Sequence, residues 1–121
     1  MESKKPANLS LMSHGLQDAV SLEFACRVAA RLRASPGLIS VARENLARWS
    51  RVNADTPSLL RCYAEWSRIL ERPLDDICEV LCAENEEGQR LRQNSPFAGI
   101  LSPSELWEIK SRLRRDATTP A

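Results

Sequence analysis

Apolar residues recur along most of this 121-residue chain at intervals of three and four, the period of a helix with one buried face. The first such pattern runs from about residue 16 to 34. Its polar stripe is Glu23, Arg27 and Arg31, spaced i, i+4, i+8. Glu23 ahead of Arg27 is the favoured order for a helical ion pair. Val20, Leu22, Phe24, Cys26, Val28 and Leu32 cover the rest of the circumference, which predicts a helix at the centre of its domain. Ser-Pro-Gly at 35–37 ends it. Ser35 is placed to cap the next helix, with Pro36 in the first turn.

A second helix is predicted over 37–51, burying Leu38, Val41, Leu46 and Trp49. A third over 57–71 lines up Leu59, Tyr63, Trp66 and Leu70. Pro73 opens a fourth, with Asp75 and Asp76 in its first turn, where the helix dipole favours acids. Its buried face is Leu74, Ile77, Cys78 and Leu81. "EEGQRLRQ" reads as two turns of helix weakened by Gly88. Ser102-Pro103-Ser104-Glu105 is a capping box with proline at the first helical position. The helix it starts runs to about Arg115, burying Leu106, Ile109 and Leu113. No stretch alternates with period two. The fold class is therefore all-α: a compact bundle of five to six short helices in a single domain, 15–115, between a flexible N-terminal segment, 1–14, and a flexible tail, 116–121.

One stretch breaks the pattern. Pro96 and Pro103 bracket "FAGIL" and force it out of helix. Phe97, Ile100 and Leu101 are too apolar for a solvated loop. Two readings stand: a plug that locks the last helix to the bundle, or the apolar centre of a contact surface rimmed by Arg90, Arg92, Gln93 and Asn94. Trp107 lies off the Leu106–Ile109–Leu113 stripe. It fills a gap beside Phe97 or anchors an interface.

Composition narrows the function more than it names one. At 43% hydrophobic residues the chain is globular rather than disordered, and no apolar run is long enough to span a membrane. "MESKKPANLSLMSHG" lacks the apolar centre of a signal peptide, so the expected location is cytoplasmic. Cys26, Cys62, Cys78 and Cys82 each sit inside an apolar helical pattern and read as buried thiols, not disulfides. A zinc site on Cys78 and Cys82 would need two further ligands, and the one histidine, His14, lies in the N-terminal segment. The same lack of histidine removes the usual triads. Asp75–Asp76 and Glu86–Glu87 are neighbours that do not face each other on a helix. No glycine-rich phosphate loop is present. The expectation is a non-enzyme with no catalytic residue, no metal and no cofactor.

Net charge is +1, yet the charges are blocked out: basic over 27–51, acidic over 65–87, basic again over 88–115. Such a layout suits internal complementarity or a charged partner. Residues 28–48, "VAARLRASPGLISVARENLAR", have the outline of a helix-turn-helix that would present Ser40, Arg43 and Arg48 to DNA. Against it, Arg33 stands where the turn usually has glycine, and Glu44 would repel phosphate.

From about residue 45 onward the chain resembles a set of small bacterial all-helical proteins. Its "EWSRILERP" segment, its "LRQNSPFAG" signature and a final helix opening in Ser-Pro carry the likeness. The resemblance implies a regulatory or antitoxin-like, protein-neutralising role, and it marks residues 92–97. The reading drawn is a non-catalytic protein-protein interaction or regulatory protein, with Arg90, Arg92, Gln93, Asn94, Phe97 and Trp107 contacting a protein partner. A homodimer is compatible with it. The alternative is DNA binding through Ser40, Arg43 and Arg48. No membrane partner is expected.

Overall fold

The computed structural model describes residues 4–118, with side chains from 15 to 117. Within them lie six α-helices and no strand: α1 (Lys4–Ala34), α2 (Ile39–Val52), α3 (Pro57–Ile69), α4 (Leu74–Cys82), α5 (Glu86–Arg92) and α6 (Pro103–Thr118). A single 3-10 turn, Pro36–Leu38, joins α1 to α2.

Two boundaries differ from the sequence reading. Helix α1 starts at Lys4, not near residue 16. Apolar period locates the part of a helix that packs, and polar residues such as Lys, Asn and Gln extend a helix without adding to that period. Pro6 does not stop it, because the first turn has no partner for its N–H groups anyway. Helix α6 runs on to Thr118, three residues into the assigned tail. His14 and residues 119–121 lie outside the side chains and backbone described.

Helix α1 is the axle. Ala25, Val28, Ala29 and Leu32 on it are at most 3% exposed, and α4 and α6 both lie along it. The polar pairs give the directions. Arg33 meets Asp75 at 2.7 Å, and Ala29 accepts at its carbonyl from the Cys78 thiol at 3.6 Å. As α1 numbers fall, α4 numbers rise, so the two helices are antiparallel. The pairs Arg31–Glu105, Arg27–Glu108 and Arg112–Glu23 fix α6 antiparallel on another side of α1. Helix α2 packs on α3.

The stretch bracketed by Pro96 and Pro103 closes the bundle. Phe97 is fully buried, with Ile100 and Leu101 beside it in the core. Its ring meets the Trp66 ring edge to face, centroids 5.8 Å apart at 83°. The Trp66 indole Nε1 donates to the Leu91 carbonyl at 2.9 Å. Asn45, itself buried, donates through Nδ2 to the carbonyls of Pro96 and Ala98 at 2.8 and 2.9 Å. A loop that enters a core must find partners for its backbone, and Asn45 supplies them. Gly99 turns the chain back at φ +93°, where a side chain would be strained.

Helix starts follow local chemistry. Ser102 Oγ accepts from the Glu105 backbone N–H at 3.1 Å, and Glu105 Oε1 accepts from the Ser102 N–H at 3.0 Å, the reciprocal box the sequence spells out. Asn85 caps α5 by accepting from the Gly88 N–H at 2.8 Å. Gly88 is there for space: a Cβ on it would lie 2.3 Å from the Ala83 carbonyl oxygen. Ser35, expected as a cap, makes no side-chain capping bond. The tight Pro36–Leu38 turn satisfies that end through its own backbone.

Phe97→Ala is expected to lower the unfolding free energy by about 3–5 kcal/mol, as for other buried aromatic truncations. Urea denaturation with an unchanged m-value reads it. A loss under about 0.5 kcal/mol would mean the loop is not core. Gly88→Ala should destabilise by roughly 1–3 kcal/mol, since backbone must move to admit the methyl group.

Candidate functional site

The six residues expected to meet a partner do not form one surface. Arg90 is exposed but bound on both sides: its Nη1 and Nη2 grip the Glu65 carboxylate at 3.0 and 2.8 Å, and Glu87 takes Nε and Nη2. Those bonds hold the Glu65 and Glu87 carboxyls below their ordinary value and raise that of Arg90. Arg92 turns inward and is only 7% exposed, because its Nη1 donates to the Leu81 and Ala83 carbonyls at the end of α4. Phe97 is enclosed. The expected surface centred on Phe97, with Arg92 on its rim, is therefore corrected: both side chains belong to the interior. Gln93 is exposed. Asn94 is half-buried, its Nδ2 at 3.7 Å from the Cys62 sulfur. Trp107 stands clear of the core at 70% exposure.

The residues offered for DNA fare differently. Ser40 is exposed. Arg43 donates to the Leu70 carbonyl at 3.2 Å, and Arg48 to Asn45 Oδ1 at 2.6 Å. Both guanidinium groups thus take part in holding α2 to its own surroundings, and Glu44 is exposed on the same helix.

One feature of the surface is absent from the sequence reading. Leu16, Val20 and Phe24 on α1 face Leu106, Lys110 and Arg114 on α6 across a hollow of about 350 Å³. The α1 residues are spaced i, i+4, i+8, so they form one stripe. All three are half-buried, and Val20 and Phe24 also pack against the core. The lining carries two cations and no carboxylate. Trp107, Lys110 and Arg114 follow at i, i+3, i+7, which puts the exposed indole on the same face of α6. The signal was present as the excess breadth of apolar cover on the first helix, more than its packed neighbours need.

Below the hollow, α1 and α6 are tied by an ion-pair network. Arg27 meets Glu23 and Glu108, both at 3.1 Å. Arg112 meets the same two acids at 3.2 and 3.7 Å, and Arg31 meets Glu105. The Glu105 carboxyl is lowered from its ordinary value, first by the Ser102 N–H and then by Arg31. Glu108 is lowered chiefly by Arg27. Among the thiols, Cys78 is buried and Cys26 is pushed up to about 12 by burial and the neighbouring Cys82. Among the described residues, no cluster of three or more His, Cys, Asp or Glu is arranged to hold a metal, and no helix is long and apolar enough to cross a membrane. No protein family, curated protein or solved structure matches the chain.

The lowered carboxyls give a signed pH effect. Their contribution to stability is complete above the ordinary glutamate value of 4.5 and is lost as pH falls through the lower folded values. The melting temperature should therefore fall between pH 6 and pH 3, less steeply in Glu108→Gln and in 1 M salt, where screening reaches about 3 Å. Equal slopes with and without Glu108 would show that the network contributes nothing.

Proposed function

We propose that this chain is a non-catalytic protein-binding module, and that the α1–α6 hollow receives an acidic amphipathic helix of a partner protein. The observation that carries the reading is Trp107, a large indole left 70% exposed one residue after Leu106, which lines the hollow. Exposed tryptophans beside apolar hollows are typical anchors of interfaces. Leu16, Val20, Phe24 and Leu106 offer the groove that the apolar face of a helix fills. Lys110 lines the hollow and no carboxylate does, which favours acidic flanks. A module of this kind acts by occupancy. The regulatory, antitoxin-like role implied by the resemblance over the later two-thirds of the chain is the form the reading takes.

A labelled, designed acidic amphipathic helix and its basic counterpart test this by fluorescence polarisation. The acidic peptide should bind at least tenfold more tightly. Trp107→Ala should weaken it at least about tenfold while changing stability by no more than about 0.5 kcal/mol, and Lys110→Glu should reverse the charge preference. Equal binding of the two peptides would refute the reading. So would a stable dimer, twice the 13.6 kDa chain mass, that excludes both.

A further inference from the structure

We propose that Cys26 on α1 and Cys82 at the end of α4 are an oxidation site, which a peroxide closes into an intramolecular disulfide that ties α4 to α1. The pair belongs to the seam between those two helices and is independent of the docking reading.

Two contacts fix the register of the seam. Arg33 meets Asp75 at 2.7 Å, and the Cys78 thiol donates to the Ala29 carbonyl at 3.6 Å. Arg33, Ala29 and Cys26 descend α1 in steps of four and three, while Asp75, Cys78 and Cys82 ascend α4 in steps of three and four. Alternating steps of that kind keep residues on the shared line of two packed helices, so the next layer sets Cys26 against Cys82. A side-chain hydrogen bond joins the two thiols there. Helices with axes about 8–10 Å apart hold facing Cα atoms roughly 4–6 Å apart, a span that a disulfide bridges.

The end of α4 suits closure. Cys82 is the last residue of that helix, and Ala83 after it is extended, so no further turn crowds the thiol. Arg92 Nη1 bonds the Leu81 and Ala83 carbonyls on either side and holds the backbone, while rotation about χ1 brings the sulfurs together. Cys26 and Cys82 are half-buried rather than enclosed, open to a molecule as small as a peroxide. The other two thiols do not compete for the pair. Cys78 is 2% exposed and engaged with Ala29, and Cys62 lies on α3 beside Asn94.

The order of attack follows from the surroundings. The Cys26 thiol is pushed up to about 12, by burial first and by the Cys82 hydrogen bond second, with Glu23 adding to the rise and Arg92 opposing it. Cys26 stays protonated at neutral pH, which leaves the first step to Cys82. The Cys82 sulfur takes one oxygen from hydrogen peroxide, the O–O bond breaks, and water leaves. The Cys26 sulfur then attacks the sulfenic acid so formed. The S–O bond breaks, and the departing hydroxide takes the Cys26 proton as a second water. Two thiols lose two electrons and two protons, and one peroxide becomes two waters.

The test treats the full reduced chain with hydrogen peroxide at neutral pH, blocks the remaining thiols with N-ethylmaleimide in denaturant, and maps peptides without reductant. The expected product is a monomer lighter by two hydrogens before blocking, with a Cys26–Cys82 link and blocked Cys62 and Cys78. Its melting temperature should rise by at least about 5 °C and return on adding dithiothreitol. Cys82→Ser should lose both the link and the rise. Treatment in urea supplies the control, because an unfolded chain favours the short Cys78–Cys82 loop over the long one. The proposal is overturned by no link in the folded chain, by links between other cysteines or between chains, by further oxidation of Cys82 without pairing, or by a linked chain that melts no higher than the reduced one. It is also overturned if urea gives the same pattern of links as the folded chain.

Discussion

The edge-to-face contact between Trp66 and Phe97 is where the separate parts of this chain become one domain. Trp66 comes from the middle of α3 and Phe97 from a loop thirty-one residues later, and each is almost wholly removed from water. A loop can reach such a place only if its backbone polar groups are satisfied there. Asn45 and the Trp66 indole meet that condition, Asn45 donating through Nδ2 to the loop carbonyls of Pro96 and Ala98 and the indole Nε1–H donating to the carbonyl of Leu91. Apolar burial supplies the attraction, and these few hydrogen bonds set the one arrangement in which it is available.

From that closure the rest follows in order. Once the loop is seated, Ser102 and Glu105 start α6 at a fixed point, and the carboxylates of α6 come into register with the arginines of α1. The exposed ion pairs contribute little each, but they choose the antiparallel register among near alternatives. The register then decides what is left uncovered. The stripe of Leu16, Val20 and Phe24 extends where α6 has only Leu106, Lys110 and Arg114 to set against it, and Trp107 is turned outward. The α1–α6 hollow is a by-product of the same geometry, with Phe24 one of its walls.

Much of the architecture was legible because it is written locally. Proline and glycine mark the breaks after α1, before α4 and before α6. The Ser102–Glu105 box names the start of the last helix to the residue, and the proline-bracketed apolar loop already suggested a plug. What could not be read depends on distant residues. Nothing near Arg92 in sequence says that its guanidinium will reach the end of α4 instead of solvent, and i, i+3 spacing alone does not say that Arg90 will find Glu65. The start of α1 escaped because no packing contrast marks it. The hollow escaped because a broad apolar helix face looks the same whether neighbours cover all of it or leave part bare.

The central claim is that the loop carrying Phe97 is core and not a lid over a core that stands without it. Hydrogen exchange at the Trp66 indole Nε1–H tests this most directly, since that proton is bonded to the backbone just ahead of the loop. The account predicts exchange only through global opening, with a free energy equal to that from urea unfolding and to the slowest amides of α1. Exchange of the indole proton at a clearly lower free energy, while α1 stays protected, would show the loop opening on its own and would contradict it.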